Sequence, residues 1–299
     1  MWCIISKCRL FDLNNKFCEL YNWTEHLAVD EVIMLYKRRV VFQQYIPKKH
    51  KDLVSKFTNF ATLWATLMSV YLGKQWQHAT AQITAMHGTV LQIVQRVEGL
   101  GHKIFMDNSF TLPALFDDLF QWKINACGTV RHDRRGRPWD IGPKYLKMKR
   151  GNIVTRVRGT LWAVCWKDRS DVYILTKMHA TPVEGNFTQE SGQAIKPHVA
   201  EDYNAYVGFV GKSDRMVKSY GIARRTWKWT KKLFFHLTDM TILNAFLIHK
   251  SCGSKMTHKN FCEILVHKFL SIRKRKMWQL VAFQGADQVQ LRPSSVDWK

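Results

Sequence analysis

The sequence predicts an α/β protein whose sheet carries carboxylates at its strand ends, and three observations lead there. From Val29 to Trp122, apolar runs of strand length alternate with stretches of helical periodicity. Two such runs meet an acidic residue, Asp30 in His26-Leu-Ala-Val-Asp-Glu-Val-Ile-Met-Leu35 and Asp107 after Lys103-Ile-Phe-Met106. The chain has 299 residues, 46% of them hydrophobic, which is enough to bury a large core as one big domain or two ordinary ones.

In chain order, Val29–Leu35 and Val40–Tyr45 read as strands. Ala79–Val97 follows helical spacing, with Ile83, Met86, Val90, Ile93, Val94 and Val97 on one stripe and Gly99 and Gly101 as its stop. Ile104–Met106 is a short strand that delivers Asp107. Leu112–Trp122 reads as an amphipathic helix with Pro113 in its first turn, where a missing N–H removes no intrahelical bond. From Lys123 to Arg158, eleven Lys/Arg stand against two acidic residues among several Gly and Pro, which predicts an irregular basic surface. Thr160–Trp166 and Asp171–Thr176 flank a Lys-Asp-Arg-Ser turn and form a hairpin candidate, and the polar stretch Thr181–Pro197 reads as a loop. Thr226–Lys250 predicts a long helix with Leu233, Phe234, Leu237, Met240, Phe246 and Leu247 at core positions; Gly253 stops it and another helix starts at Thr257. Residues beyond Gly285 read as a frayed tail.

Lys and Arg outnumber Asp and Glu 46 to 23, giving a formal charge of +23 and pI near 9.9. Such an excess repels itself unless it meets a polyanion, so nucleic acid is the leading partner and an acidic membrane surface the second. The longest apolar run, Ala61–Leu72, falls short of the roughly 20 residues that span a bilayer and reads as core. Met1–Cys8 lacks the pattern of a secretory signal, which places the protein inside the cell, where the sequons at Asn22 and Asn186 have no meaning. Seven scattered cysteines without a C-x-x-C pair argue against a zinc module or a disulfide framework and read as small buried hydrophobes.

A carboxylate closing a buried strand is costly unless a cation meets it. In a chain made for polyanions, a divalent metal acting on phosphate suits Asp30 and Asp107, because each Mg²⁺ takes only one or two protein carboxylates and leaves room for phosphate and water. The alternative is that each is a cap or turn residue. Gly208-Phe-Val-Gly-Lys-Ser213 is no phosphate loop, since its first glycine would fall at Tyr206. The twelve histidines show no ligand spacing, and His102 and His236 read as structural or solvated. In Arg224-Arg-Thr-Trp-Lys-Trp-Thr-Lys-Lys232, Trp227 and Trp229 can stack on bases while Arg224, Arg225, Lys228, Lys231 and Lys232 meet phosphates; packing inside a helix bundle is the competing reading for the tryptophans. Arg273-Lys-Arg-Lys276 reads either as a nuclear-import signal or as a solvated terminus.

Several strings resemble the piggyBac transposases and the transposable-element-derived proteins descended from them. They are Thr24-Glu-His-Leu-Ala-Val-Asp-Glu31, Gln44-Tyr-Ile-Pro-Lys-Lys49, Val70-Tyr-Leu-Gly-Lys74, Gly101-His-Lys-Ile-Phe-Met-Asp-Asn108, Pro113-Ala-Leu-Phe116, Asn125-Ala-Cys-Gly-Thr-Val130, Lys212-Ser-Asp-Arg-Met216 and Thr226-Trp-Lys-Trp-Thr-Lys-Lys232. They run in family order from about residue 10 to 270. The resemblance implies an RNase H-like core with an inserted domain and three aspartates holding two Mg²⁺ for DNA cutting and joining at TTAA targets. Asp30 resembles the first aspartate and Asp107 the second. Where the family has Val-Asp-x-x-Asp, this chain reads Val210-Gly-Lys-Ser-Asp214, so Gly211 takes the third place and Asp214 matches the accessory acidic residue, with Asp30, Asp107 and Asp214 left as metal ligands. Trp229 resembles the aromatic used near the DNA end.

The resemblance divides the chain into a remnant of an N-terminal helical region at 1–28, an RNase H-like core at 29–214 with a basic insertion at about 133–196, a helical DNA-binding and dimerisation segment at 215–270, and a basic then polar tail at 271–299. It implies truncation at both ends, without the family's C-terminal zinc module, and damage to the sheet at Asp52–Ser69. DNA is the implied partner, a nucleus the implied location and no membrane is expected; a homodimer stays open. Three functions stay open: a catalytically inactive DNA-binding protein, a Mg²⁺-dependent transposase or nuclease with residual activity, and a decayed reading frame without selected function.

Overall fold

The computed structural model describes residues 12–272 apart from 13, 18, 22, 36–43, 46–52, 62–65, 71–83, 135, 137, 139, 143–144, 146, 181, 190, 223–225 and 227. Its first compact unit, Met1–Ile248, is crossed by a mixed sheet. At the centre lies β1 (His26–Leu35), parallel to β5 (Lys103–Met106), which is parallel to β6 (Asn125–Thr129). On its other side β3 (Leu53–Ala61) runs antiparallel to β1. The two-residue β2 (Gln44–Tyr45) and β4 (Thr66–Val70) pair antiparallel with β3. The order β4-β3-β1-β5-β6 is the mixed sheet of an RNase H-like core, as the resemblance implied.

Within 52–69, the described residues 53–61 and 66–69 overturn the expectation of a damaged sheet. They supply β3 and most of β4, and β3 stays in register with β1 from Ala28↔Ala61 to Leu35↔Val54. Polar pairs at Ser55-Lys56 and Thr58-Asn59 break the apolar pattern, but the free edge of β1 offers a ladder that outweighs local propensity. The basic stretch Lys123–Arg158 is likewise less irregular than expected, since it contains β6 and β7 (Asn152–Arg158). The predicted hairpin forms as β8 (Leu161–Lys167) and β9 (Asp171–Thr176). Because β9 pairs with β6, strands β7 to β9 and the short β10 (Gly185–Asn186) extend the same sheet.

Side-chain alternation divides the core into two layers. Leu27, Val29, Ile104, Met106 and Ala126 pack with Phe17 of a helical turn at 14–17 (α1), with α2 (Ala85–Val94) and its 3₁₀ continuation Gln95–Val97, and with α3 (Pro113–Gln121). Thr84 caps α2 by accepting from the His87 N–H, and Gly99 and Gly101 end it in left-handed conformations (φ +78° and +77°). On the opposite face, Phe105, Cys127 and Ile174 meet Val199, Ala200, Tyr203 and Tyr206 of α4 (His198–Tyr206). Next in chain order, α5 (Phe209–Ser219) packs against β1 and β3.

The predicted long helix is α6 (Trp229–Ser251). Leu233, Met240, Phe246 and Leu247 are buried as expected, but Phe234 is 58% exposed, because it follows Leu233 by 100° and leaves the core stripe. A second unit starts at His249 and contains α7 (258–272). No helix among the described residues is long and apolar enough to cross a membrane. Cys127 and Cys165 are buried, as read from the sequence, whereas Cys252 is exposed and Cys262 half-buried.

Candidate active site

Asp30 and Asp107 come together through strand register. Val29 pairs with Met106 across the parallel β1 and β5 strands, so the next position on each strand is a carboxylate. Alternation puts Asp30 on the face of His26, and Asp107 on the face of Phe105. That face lies under α4, since the rings of His26 and Tyr206 stack at 4.0 Å and those of Phe105 and Tyr206 lie 4.9 Å apart. Both aspartates are half-buried.

The turn after β5 fixes the second carboxylate. Asp107 O accepts from Phe110 N (3.0 Å), Thr111 N (3.2 Å) and Thr111 Oγ1 (3.0 Å). A Cβ at Gly128 would stand 2.3 Å from Thr111 Oγ1 and 2.9 Å from Met106 O, so glycine is what lets β6 close against this turn. Arg134 Nη2 donates to Asn108 O (2.5 Å) and Ser109 O (3.0 Å), setting a cation beside the same turn. A groove of about 580 Å³ opens here, lined by Asn108, Thr129, Arg131, His132, Asp133 and Tyr173. On Asp30, Oδ1 accepts from the Glu31 N–H at 2.6 Å.

Tyr203, which lies in none of the family-like strings, and Thr129 complete the surroundings. Tyr203 Oη and Thr129 Oγ1 are hydrogen-bonded at 3.0 Å. Burial pushes the Tyr203 phenol up to about 12, and the negative charges of Asp107 and Asp30 push in the same direction. Tyr203 therefore presents a neutral hydroxyl close to both carboxylates. Its position on α4, over the ends of β5 and β6, depends on chain folding that no local pattern encodes.

Gly211 stands where the resemblance implied a third aspartate. Gly211 is exposed on α5 and has nothing within 4 Å of where a Cβ would stand. One turn along, Asp214 Oδ2 accepts from Lys218 Nζ at 2.5 Å, and Asp214 Oδ1 is buried without a hydrogen-bond partner among the described residues. No three-ligand cluster of Asp30, Asp107 and Asp214 forms among the described residues. Asp30 and Asp107 are oxygen donors of the kind Mg²⁺ takes, one or two carboxylates with its remaining positions kept for water and phosphate.

Of the basic-aromatic segment, Arg224, Arg225 and Trp227 lie outside the described residues, as does the run Arg273–Lys276. Lys228 and Lys231 are exposed, while Trp229 and Lys232 are half-buried. Lys228 N donates to Thr226 Oγ1 (3.2 Å), and Lys228 O accepts from Lys231 N and Lys232 N (3.1 and 3.2 Å), which opens α6. The first turn of α6 holds no acidic residue.

Histidines without apparent ligand spacing turn out to be used. His102 is buried with Nδ1 3.0 Å from Thr24 O, and His87 Nε2 lies 2.8 Å from Asp118 Oδ2. His179, His198 and Asp202 converge in space although the histidines show no ligand spacing along the sequence. The i, i+4 spacing of His198 and Asp202 was its one visible sign.

The sequence profile of the family described as Transposase IS4 matches residues 10–246. PiggyBac transposable element-derived protein 3 of Homo sapiens is 26% identical over 257 residues, covering 81% of this chain and 43% of that protein. PiggyBac transposable element-derived protein 2 of Homo sapiens is 30% identical over 162 residues, covering 51% of this chain and 27% of that protein. The chain thus spans less than half the length of these relatives. Among solved structures, a piggyBac transposase in a synaptic complex with hairpin DNA superposes with a TM-score of 0.76 at 24% identity, covering 94% of this chain and 61% of that one.

Proposed function

Because the chain belongs to the Transposase IS4 family, of the piggyBac type, we propose that it binds DNA and that the strand-cutting centre of its RNase H-like core is disabled. The observation that carries this reading is the pairing of adjacent carboxylates, Asp30 and Asp107, with a bare backbone at Gly211. Asp30 and Asp107 would hold one Mg²⁺ together. When bound, the ion supplies a Lewis acid that neutralises charge on a phosphate. A second ion would lack the carboxylate that bridges and neutralises the pair, because Asp214 is engaged by Lys218. Loss of a catalytic group of this kind lowers the rate by orders of magnitude.

The DNA-binding half of the proposal rests on α6. Lys228, Lys231 and Lys232 crowd the positive end of the helix dipole, where lysines are unfavourable unless an anion arrives. DNA phosphate at that end would relieve the repulsion, and Trp229 beside it offers a ring for an unpaired base. The basic run Arg273–Lys276 supports action in the nucleus.

The test compares the purified chain with its Gly211→Asp variant, for DNA binding and for Mg²⁺-dependent nicking of supercoiled and hairpin DNA. Both proteins are expected to bind DNA equally, with nicking confined to the variant. Equal nicking by the wild type would overturn the disabled-centre reading. Absence of salt-dependent DNA binding would overturn the other half.

A further inference from the structure

Helix α4 brings a second cluster of metal-ligating side chains to the end of β9, away from any motif in the sequence. His198 and Asp202 lie one turn apart on α4, and His179 follows β9 by three residues. His179 Nε2 is 3.1 Å from Asp202 Oδ2, and His198 Nε2 is 3.8 Å from Asp202 Oδ1. All three ligand atoms lie within 4.8 Å of one another. Ligands about 2.0–2.1 Å from a tetrahedral zinc ion stand ~3.3 Å apart, so this set closes on an ion with shifts of at most about 1.5 Å, the largest of them open to the exposed His198 ring.

The surroundings also fit a ligand set. The His179 side chain is only 6% exposed, and its Nδ1 lies 2.7 Å from the hydroxyl of the buried Thr176, which holds the ring with Nε2 aimed at Asp202. A hydrogen bond at the far nitrogen of this kind orients a ligating imidazole. His198 faces solvent, with its ring 5.8 Å from that of His179. A cavity of about 440 Å³ lined by His179, His198, Pro182 and Phe187 adjoins the cluster, with space for a water as fourth ligand. Two imidazoles and one carboxylate suit zinc-type ions, whereas Mg²⁺ prefers oxygen donors.

We propose that His179, His198 and Asp202 form a binding site for a divalent transition-metal ion of the zinc type, clamping α4 to the end of β9. The site is separate from the Asp30–Asp107 pair and does not depend on the activity proposed for it. Its structural consequence reaches that pair, because Asp202 is followed directly by Tyr203. Fixing one end of α4 on the sheet fixes the hydroxyl that lies near both carboxylates.

The experiment titrates Zn²⁺ into the full chain by calorimetry and Co²⁺ by visible absorption, for wild type, His198→Ala and Asp202→Asn. His198 is 77% exposed, so its replacement leaves the fold intact, which circular dichroism and melting without metal verify. Because the cysteines can also take zinc, the site is read as the difference between wild type and variants. The wild type is expected to show one extra equivalent, with binding weakened about tenfold or more in each variant. Zn²⁺ should raise the wild-type Tm by several degrees and that of His198→Ala by less, whereas any rise with Mg²⁺, which the Asp30–Asp107 pair would take, should be the same in both proteins. Identical stoichiometry, affinity and Tm shift in wild type and both variants would overturn the proposal and leave His179–Asp202 a purely structural hydrogen bond.

Discussion

The hydroxyls of Tyr203 and Thr129 stand 3.0 Å apart, joining α4 to β6 at the edge of the Asp30–Asp107 pair. Tyr203 stays protonated because burial, reinforced by both aspartates, holds its phenol near 12. Tyr203→Phe removes this bond and leaves the Thr129 hydroxyl without it, at an expected cost of about 1 kcal/mol. Urea denaturation of the two proteins measures the difference, and an unchanged midpoint would show that the bond contributes nothing.

Gly211 makes a second prediction that does not depend on catalysis. It is the third residue of α5, exposed, with open space where a Cβ would point. Glycine in a helix interior destabilises by about 0.5–1 kcal/mol relative to alanine, through the backbone freedom it must lose, and that value is the upper bound for a first-turn position. Gly211→Ala is therefore expected to raise stability by up to that amount in thermal or urea unfolding. A destabilised variant would mean that α5 cannot accept any side chain there, and the Gly211→Asp test would lose its basis.

The two aspartates were legible in the sequence because each adjoins an apolar run, although only Asp107 follows a strand end and Asp30, read as closing a strand, falls in the middle of β1 (His26–Leu35). Their adjacency was not, since it comes from the parallel register Val29↔Met106 between strands more than seventy residues apart. The strands β3 and β6 escaped a pattern reading for related reasons. Ser55, Lys56, Thr58 and Asn59 interrupt one, and Ala126, Cys127 and Gly128 make the other too small-sided to look like a strand, yet both are completed by neighbours in the sheet. Tyr203 was invisible as a site residue because nothing local to α4 tells which sheet face it covers, and for the same reason the sequence does not bring His179, after β9, to His198 and Asp202 on α4.

His236 gives a pH prediction. Burial, its largest influence, holds this imidazole below the ordinary value of 6.5; Asp214 on α5 pulls it up and Lys218 on α5 pushes it down. The unfolded chain therefore takes up this proton first as the pH falls. Stability from this group is complete above about pH 6.5 and is lost as the pH drops through the lower folded value, at up to about 1.4 kcal/mol per pH unit. Denaturation between pH 8 and 5 should show an acid-side decline that His236→Gln makes shallower. His258, also held low by burial, acts in the same direction and leaves a residual slope. An identical profile for the variant would exclude His236 as a contributor.

The final prediction concerns the basic end of α6. Lys228 and Lys231 are exposed at the first turn of the helix, beside the half-buried Trp229. Each lysine that meets a phosphate releases counterions, so removing one lowers the slope of log K against log salt by about 0.9 on duplex DNA and by about 0.7 on single strands. Lys228→Ala with Lys231→Ala is thus expected to reduce the slope by nearly twice those amounts and to weaken binding alike across unrelated sequences. Trp229→Ala is expected to do something different, weakening single-stranded or hairpin DNA by about 1–3 kcal/mol while leaving the salt slope in place. Fluorescence anisotropy over a salt series separates the two effects. A double-lysine variant with the wild-type slope would place the phosphate contacts elsewhere on the basic surface. Equal loss of duplex and single-stranded affinity in Trp229→Ala would assign that ring to packing rather than stacking.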